Sequence, residues 1–288
     1  MEHASAAGRD ASNLKPGITC FGYAYRVIVA QISDLHVRRR GHVLHHMPDT
    51  TAYLRRTIDR LHAMNPRPDL VLATGDLTER GSPHEYRRLR TTLTHLEIPH
   101  VLLPGNHDDR DALRRAFRDH RYLGTFAHHA SYAIDAWPLR ILCLDSTAPG
   151  RSGGIVDEER LGWIAAELEA HPRRPTILAM HHPPFRTGMP ALDAYGFVNA
   201  DRLGEIVRAH PQIARIVAGH LHTVLMRPWN GTIACTAPST SPQFVIGRSR
   251  LGIGVESAGF LVHEWGFNAE VHTYIARIDG RRREQQIA

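Results

Sequence analysis

Residues 27–36 read VIVAQISDLH, a run of six residues typical of a buried strand followed directly by Asp34 and His36. A short run rich in β-branched residues predicts a strand that is covered on both faces. The Asp-x-His spacing projects two polar side chains the same way at the point where the strand ends. This stretch therefore predicts a buried strand that delivers two ligand-type residues to one edge of a sheet.

The strand-then-helix unit repeats along the chain. Strands that alternate with helices indicate parallel sheet with helices outside it, and the part after residue 218, with apolar runs near residues 224, 233, 260 and 271–278, is predicted to be mainly β and to close a second sheet. Before that part the predicted strands are 27–32, 70–73, 100–103, 131–135, 139–145, 176–180 and 213–218, and the predicted helices are 49–64 (capped by Asp49), 82–96, 109–118, 157–170 and 201–209.

One α/β domain is predicted over residues 25–280. The chain has 288 residues, of which 42% are hydrophobic and 22% charged, which is typical of a globular protein with a sizeable core. Residues 1–24 show no apolar period and are predicted to be a disordered extension, and residues 281–288 a polar tail.

The cellular compartment is inferred from the cysteines, the N-terminus and the lengths of the apolar runs. Its three cysteines form no close-spaced pair, which fits a reducing compartment. The N-terminus lacks the continuous apolar stretch of a signal peptide, and no apolar run approaches the ~20 residues that a membrane span needs. We therefore expect a cytoplasmic protein with no membrane partner.

The net charge of +6 and the isoelectric point near 9.6 have two interpretations. Nucleic-acid binding is not favoured, because the sequence has no recognition fold and no stripe of basic and aromatic residues. The short arginine runs at residues 38–40 and 281–283 are predicted to be a solvated loop and tail. Positive charge also suits a protein that attracts anionic phosphate substrates.

Ligand-type residues follow one apolar strand after another. The crevice beyond the carboxyl ends of strands is where open α/β sheets bind ligands, so these segments are expected to meet. They offer oxygen and imidazole nitrogen but no thiolate, a set suited to Mn, Fe, Zn or Co. They carry more ligands than one tetrahedral ion needs, which favours two ions bridged by a carboxylate. The segments are residues 33–36, 75–76, 105–108, 181–183 and 219–222.

Each segment alone has a simpler interpretation as a loop, a turn or a strand with polar residues. A single histidine is weak evidence because the chain has 21 of them. The ordered set is what is hard to obtain by chance. Gly75, Gly105 and Gly219 each stand directly before a ligand-type residue and are predicted to form the turns there.

The blocks D-x-H, G-D, G-N-H-[DE], H-x-P and G-H-x-H, in this order over residues 26–240, resemble the calcineurin-like metallophosphoesterases. The segments 105–110, 181–184 and 237–240 look most like the bacterial class III cyclic-nucleotide phosphodiesterases and the glycerophosphodiesterases. The resemblance implies a four-layer αββα sandwich, in which two facing mixed sheets are flanked by helices.

The resemblance also implies a binuclear centre of two divalent or mixed-valence ions (Fe, Mn, Zn or Co). His181 is preferred to His182 as a ligand because it stands two residues before Pro183, and His182 is expected to line the site. Asp34, His36 and His222 would bind the first ion, Asn106, His181 and His220 the second, and Asp76 would bridge them.

The mechanism implied is attack on a phosphodiester by a hydroxide held between the ions, with Asp76, Asn106 and His107 as catalytic residues. His107 is expected beside the phosphate, as a donor to a phosphoryl oxygen or an acid toward the leaving alkoxide. The alternative is that it only packs beside the ligands. Asp108 is expected to orient His107 or, preferably, to cap the following helix.

Substrate choice is assigned to residues 185–199, a predicted flap whose Arg186, Met189, Tyr195 and Phe197 follow a ligand strand. Tyr195 or Phe197 is expected to face a nucleobase; the alternative is a plain loop or an oligomer contact, such as that of a homodimer. The resemblance favours a 3',5'-cyclic nucleotide such as cAMP. The alternatives are a broad-specificity or glycerophosphodiester phosphodiesterase and a metal-binding scaffold, which has no need of His107.

Overall fold

The computed structural model describes residues 26–39, 49–241, 243–246, 251–254, 258–266 and 270–278. The strands in these ranges are β1 (Val27–Ile32), β2 (Leu70–Thr74), β3 (His100–Leu103), β4 (Tyr132–Ile134), β5 (Arg140–Cys143), β6 (Gly154–Ile155), β7 (Thr176–Ala179), β8 (Phe197–Val198), β9 (Ile213–Ala218), β10 (Met226–Trp229), β11 (Thr232–Thr236), β12 (Gln243–Ile246), β13 (Leu251–Gly254), β14 (Gly259–Trp265) and β15 (Val271–Arg277). The α-helices are α1 (Thr50–His62), α2 (Pro83–Leu93), α3 (Arg110–Ala116), α4 (Glu158–Ala170), α5 (Pro190–Asp193) and α6 (Ala200–Ala209).

Two mixed sheets form the centre of the fold. The first has the order β15-β14-β1-β2-β3 and the second the order β10-β11-β9-β7-β5-β4, and smaller two-stranded sheets pair β12 with β13 and β6 with β8. In the first sheet β1, β2 and β3 run parallel, and β14 pairs antiparallel with β1 and with β15. In the second sheet β11, β9, β7 and β5 run parallel, and β10 and β4 are antiparallel edge strands. The two sheets share one apolar core, with α1, α2 and α3 packed on the first and α4 and α6 on the second. The predicted fold class is confirmed.

The C-terminal strands differ from the prediction. They were expected to close the second sheet, yet only β10 and β11 join it, while β14 pairs antiparallel with β1 in the first sheet and β15 pairs with β14. The physical reason is burial, since nearly all of β14 is buried and such a strand needs a partner on both sides.

Helices α1 and α2 start at side-chain caps, of which the one at Asp49 was predicted. Asp49 accepts a hydrogen bond from the Thr51 amide before α1, and Ser82 and Glu85 form a capping box before α2. The predicted ends of α2 and α3 at residues 96 and 118 were too late, because these helices end at residues 93 and 116. The predictions for residues 1–24, 40 and 281–288 lie outside the described residues. Among the helices of the described ranges, none is long and apolar enough to cross a membrane.

A buried polar network joins the two sheets beneath the strand ends. Gln31 on β1 donates to the Ala218 carbonyl on β9 at 2.8 Å, and its amide oxygen faces His263 Nε2 at 3.0 Å. His263 Nδ1 lies 2.9 Å from Thr273 Oγ1. Burial, assisted by the positive charge of Arg215, lowers the pKa of His263 from its ordinary 6.5 to about 3. His263 is therefore neutral in the folded protein at neutral pH.

Replacing His263 is expected to weaken the acid sensitivity of the fold. Below pH 6.5 the unfolded chain takes up a proton at His263 that the folded chain refuses down to about pH 3, so folding stability falls as the pH drops through this window. In His263→Gln the loss of unfolding free energy between pH 7 and pH 5 should be smaller by about 2 kcal/mol.

The measurement is urea unfolding at both pH values. His272→Gln is the matched control, because His272 lies on the adjacent strand β15 with its side chain 63% exposed. Equal pH slopes for the wild type and His263→Gln would contradict the assignment.

Candidate metal centre

Five loops at the carboxyl ends of β1, β2, β3, β7 and β9 bring the predicted ligands together. One group consists of four residues whose ligand atoms all lie within 4.8 Å of one another, namely Asp34, His36, Asp76 and His222. A second group with the same spacing consists of His181, His182 and His220. Asn106 adjoins the second group, with its Oδ1 3.1 Å from His181 Nε2.

The first group contains ligand-type atoms that face one another at short distances. Nε2 of His36 and Nε2 of His222 are 3.1 Å apart. The same His36 atom lies 3.6 Å from Asp76 Oδ2, and the His222 atom lies 3.5 Å from Asp34 Oδ1. The side chains of His36 and Asp76 are almost completely buried. Imidazole nitrogens and carboxylate oxygens that converge in this way, with no cysteine among them, fit a divalent ion.

The second group contacts the other oxygen of Asp76. His181 Nε2 lies 3.4 Å from Asp76 Oδ1 and the His220 ring centroid lies 5.2 Å from that of His181. His181 Nδ1 donates to the Thr74 carbonyl at 2.8 Å, which leaves Nε2 for the site. Asp76 therefore presents one oxygen to each group, which is the arrangement of a bridging carboxylate.

His182 lies in the second group although sequence reasoning preferred His181. Its Nδ1 is 2.9 Å from Ser146 Oγ, and its Nε2 is buried without a hydrogen-bond partner in the described part of the chain. Burial and the neighbouring His181 and His220 hold its pKa well below the usual range. Its expected role as a lining residue stays a prediction.

The charges of this centre are coupled. Burial opposes protonation of His181, but the Asp76 carboxylate outweighs it and raises the pKa of His181 to about 9. Burial would raise the pKa of Asp76, yet His181, His36 and His107 hold it well below its usual range. The His220 pKa falls to about 4 through burial and the charge of His181. Without bound ions, the protein places a proton on His181, which a metal ion at Nε2 would displace.

The backbone at the strand ends is unusual. A positive φ is uncommon for a residue other than glycine, and clusters of such residues mark functional sites. In the described chain only two other non-glycine residues, Asn199 and Asn230, share it. The candidate ligands with positive φ are Asp34 (53°), His36 (42°), Asp76 (47°), His220 (70°) and His222 (53°).

The three glycines have two different roles. Gly75 has a φ of +94° and forms the predicted turn. Gly105 and Gly219 also begin turns, since their carbonyls accept from the amides of Asp108 and Leu221. They lack a positive φ, and glycine is needed at both because there is no space for a side chain. A Cβ on Gly105 would lie 2.2 Å from both the amide nitrogen and Oδ1 of Asp76, and one on Gly219 would lie 2.0 Å from Ser33 Oγ.

Glu79 is a site residue that the sequence analysis missed. Its Oε2 lies 3.2 Å from His36 Nδ1, and its backbone carbonyl is 2.9 Å from His107 Nδ1. Burial opposes ionisation, but the contact with His36 and the charge of Arg38 lower the pKa of Glu79 to about 2. A carboxylate on the outer nitrogen of a ligand histidine fixes the ring and its tautomer. Its position three residues after Asp76 was the only available signal.

Asp108 neither orients His107 nor caps α3. It accepts hydrogen bonds from the amides of Leu77, Thr78 and Gly105, so it ties the loop after β2 to the loop after β3. The cap of α3 is Asp109, which accepts from the Ala112 amide at 2.7 Å. The expected capping role was assigned one residue too early, because both aspartates precede the helix.

His107 stands at the open side of the centre. Its side chain is 39% exposed and its Nε2 lies 4.0 Å from Asp76 Oδ2. Its amide donates to Asp76 Oδ1 at 2.9 Å, which fixes the backbone beside the candidate bridge. The ring is thus beside the candidate ligands and accessible to a bound molecule.

The family model "Calcineurin-like phosphoesterase" matches residues 28–224, and the chain belongs to this family, as the sequence motifs predicted. A probable glycerophosphodiester phosphodiesterase GpdQ of Arcobacter nitrofigilis is 31% identical over 261 residues, which are 88% of this chain and 95% of that protein. The 3',5'-cyclic adenosine monophosphate phosphodiesterase CpdA of Pseudomonas aeruginosa is 27% identical over 253 residues, 88% of this chain and 90% of that one.

The fold also occurs in a solved structure of low sequence identity. A dimetal phosphatase from Danio rerio superposes with a TM-score of 0.59 at 14% identity, over 86% of this chain and 98% of that one. This likeness concerns the fold alone.

Adding one methyl group at Gly105 is expected to damage the centre. The new Cβ of Gly105→Ala would overlap the Asp76 backbone, so this loop must move. We expect unfolding stability to fall by about 1–3 kcal/mol and Mn²⁺ affinity to fall at least about tenfold.

Gly162→Ala is the matched control, because Gly162 lies within α4 and its Cβ would contact nothing within 4 Å. That variant should gain about 0.5–1 kcal/mol and bind Mn²⁺ like the wild type. Thermal unfolding and Mn²⁺ titration measure the two effects. A Gly105→Ala variant with the stability and Mn²⁺ affinity of the wild type would contradict the predicted crowding.

Proposed function

We propose that this chain is a binuclear metal-dependent phosphodiesterase that hydrolyses a small phosphodiester, with a 3',5'-cyclic nucleotide such as cAMP as the first candidate substrate. The single observation that carries the proposal is the position of Asp76, whose two oxygens face two separate groups of ligand-type residues.

The ligand assignment follows the two groups. Two bound ions would supply positive charge to the phosphoryl oxygens and lower the pKa of water toward neutrality. Asp76 would be shared between them. Asp34, His36 and His222 would hold one ion, and Asn106, His181 and His220 the other.

His107 is suited to protonate the leaving group. Its Nδ1 donates to the Glu79 carbonyl in the arrangement that satisfies both atoms, so Nε2 faces the site. A neutral ring with this tautomer only accepts at Nε2, and donation to an alkoxide requires a second proton there. This Nε2 lies 4.0 Å from Asp76 Oδ2, at the open side of the centre. His107 would therefore act as a general acid.

Two unequal clefts flank the centre and offer places for the two sides of a diester. The cleft beside Asn106 and His107 encloses about 510 Å³ and is lined by polar residues, among them Arg80, His128 and Thr147. The other, beside His220, encloses about 110 Å³. Its mainly apolar lining includes Phe185, Leu192, Tyr195 and Phe197 from the segment 185–199.

Tyr195 is the best placed residue of this segment to contact a nucleobase. Its ring centroid is 5.7 Å from that of His220, and the residue is 49% exposed. Phe197 is less exposed than Tyr195. Its ring packs against Gly154, in the space that a side chain at Gly154 would occupy. Arg186, with its side chain 89% exposed, and Met189, which precedes α5, have no aromatic ring that could contact a nucleobase. A half-exposed aromatic ring beside the centre supports a nucleotide substrate.

A glycerophosphodiester is the second candidate. Its support is the higher identity to the Arcobacter protein than to the Pseudomonas one. The polar cleft beside His107 also suits a hydroxylated alcohol as the leaving group. A metal-binding scaffold without catalysis remains the non-enzymatic alternative, and it would bind ions without turnover.

Loss of His107 is expected to affect poor leaving groups selectively. Glutamine at this position keeps a donor for the Glu79 carbonyl but cannot deliver a proton. With Mn²⁺ present, His107→Gln should hydrolyse cAMP and glycerophosphocholine about a hundredfold or more slowly than the wild type. The hydrolysis rate of bis(p-nitrophenyl) phosphate should fall much less, because its nitrophenolate leaves without protonation. The kcat values for the three substrates measure this difference.

His95→Gln serves as the control, because His95 is exposed in the turn after α2. The ratio of wild-type kcat/KM for cAMP and glycerophosphocholine ranks the two candidate substrates. Equal decreases in kcat for all three substrates would contradict the role of His107 as a general acid. A wild type that shows no turnover with any metal would leave only the metal-binding scaffold.

A further inference from the structure

Two buried serines, Ser239 and Ser241, lie in the segment that follows β11. Residues 237–240 carry part of the resemblance to the phosphodiesterases but have no role in the proposed function. The two serines, called the serine pair below, are 0% and 3% exposed. A buried hydroxyl needs a hydrogen-bond partner, so the contacts of the serine pair indicate what this segment does.

Both hydroxyls of the serine pair converge on one backbone atom, the carbonyl oxygen of Asp34. Ser239 Oγ donates to it at 2.8 Å, and Ser241 Oγ lies 3.3 Å from it. The two hydroxyl oxygens are 2.9 Å apart, and the Ser241 amide donates to Ser239 Oγ at 3.0 Å. Each hydroxyl has a single proton. Ser239 therefore uses its proton on Asp34, while the amide and hydroxyl of Ser241 hold Ser239 in that orientation.

Asp34 needs this donor because of its backbone conformation. It lies two residues beyond the end of β1, it is fully buried, and its φ is 53°. No backbone amide among the described residues donates to its carbonyl. A buried carbonyl without a donor is costly, and a left-handed conformation persists only where the surroundings fix it. The serine pair supplies the donor and part of that support.

The other polar groups of Asp34 are held by loops that already belong to the centre. Its amide donates to the Gly75 carbonyl at 3.1 Å, and its carboxylate accepts from the His220 amide. Its Oδ1 lies 3.5 Å from His222 Nε2. Gly75 forms the turn before Asp76, and His220 is itself a candidate ligand. Of these contacts, only those of the serine pair can be removed without changing a candidate ligand or its turn.

We propose that Ser239 and Ser241 are positioning residues for the first metal ion and act through the backbone of Asp34. The proposal rests on the proposed function, since it takes Asp34 as a ligand of that ion. Without the two hydroxyls, the Asp34 carbonyl loses its donors and the residue leaves its left-handed conformation. Its carboxylate then moves away from His36 and His222. The second ion is less affected, because its ligands contact Asp34 only through the His220 amide.

The test is Mn²⁺ binding by the full-length protein, for the wild type, Ser239→Ala, Ser241→Ala and the double variant. In Ser239→Ala the Ser241 hydroxyl is free to donate to Asp34, so each single substitution should have a partial effect. In the double variant the affinity for the first ion should fall about tenfold to a hundredfold, and the affinity for the second ion should fall less. Titration measures both affinities. Electron paramagnetic resonance distinguishes a coupled Mn²⁺ pair from a single ion, and anomalous diffraction shows which group keeps its ion.

Thr57→Val is the control, because the Thr57 hydroxyl is also buried and donates to a backbone carbonyl, that of Tyr53, but within α1. It should bind both ions like the wild type. Thermal unfolding of the metal-free proteins establishes that each variant is folded. A double variant that keeps the wild-type affinity for both ions, or that loses affinity for both equally, would overturn the positioning role and leave the proposed function intact. A wild type with no ion at the first group would overturn both.

Discussion

The buried carboxylate of Asp76 is the constraint on which the rest of the structure depends. It follows β2 of the first sheet, and its Oδ1 lies 3.4 Å from His181 Nε2, which follows β7 of the second sheet. Its Oδ2 lies 3.6 Å from His36 Nε2. Burial makes an isolated carboxylate costly, so a charged Asp76 requires positive charge on both sides. One side chain thereby joins the ends of two sheets and two groups of ligand-type residues.

The local backbone geometry follows from this demand. Residues with side chains that must converge cannot continue in extended conformation, and Asp34, Asp76 and His220 accordingly have φ values of 53°, 47° and 70°. Left-handed conformations and close approaches cost energy and persist only where the surroundings fix them. Fully buried strands such as β1 and β2 provide that support, and Asp108 holds the loops after β2 and β3 together.

Local sequence patterns predicted much of this structure. The bounds of β1, the cap at Asp49 and the start of α2 next to Ser82 agree with the sequence prediction, because strand burial and helix starts depend on neighbouring residues. The order of motifs identified the family, since Asp, His and Asn follow successive parallel strands whose carboxyl ends share one edge.

Features that depend on which loops meet were not accessible in the same way. The carboxylate of Glu79 contacts His36, 43 residues earlier in the chain, and its position three residues after Asp76 does not show which side chain it would contact. The same applies to β14, which pairs with β1 although β9 and β11 are closer in sequence. Gly105 and Gly219 could be located from their neighbours, but the crowding that requires them arises from opposite loops.

The most direct test of the central claim is the number of metal ions bound per chain. Protein loaded with Mn²⁺ and freed of excess metal is analysed by mass spectrometry of the metal and by anomalous diffraction, for the wild type, His222→Ala and Asp76→Asn. A shared Asp76 predicts two ions in the wild type, one in His222→Ala and fewer than one in Asp76→Asn. A wild type that binds a single ion, or an Asp76→Asn variant that retains two, would contradict the account.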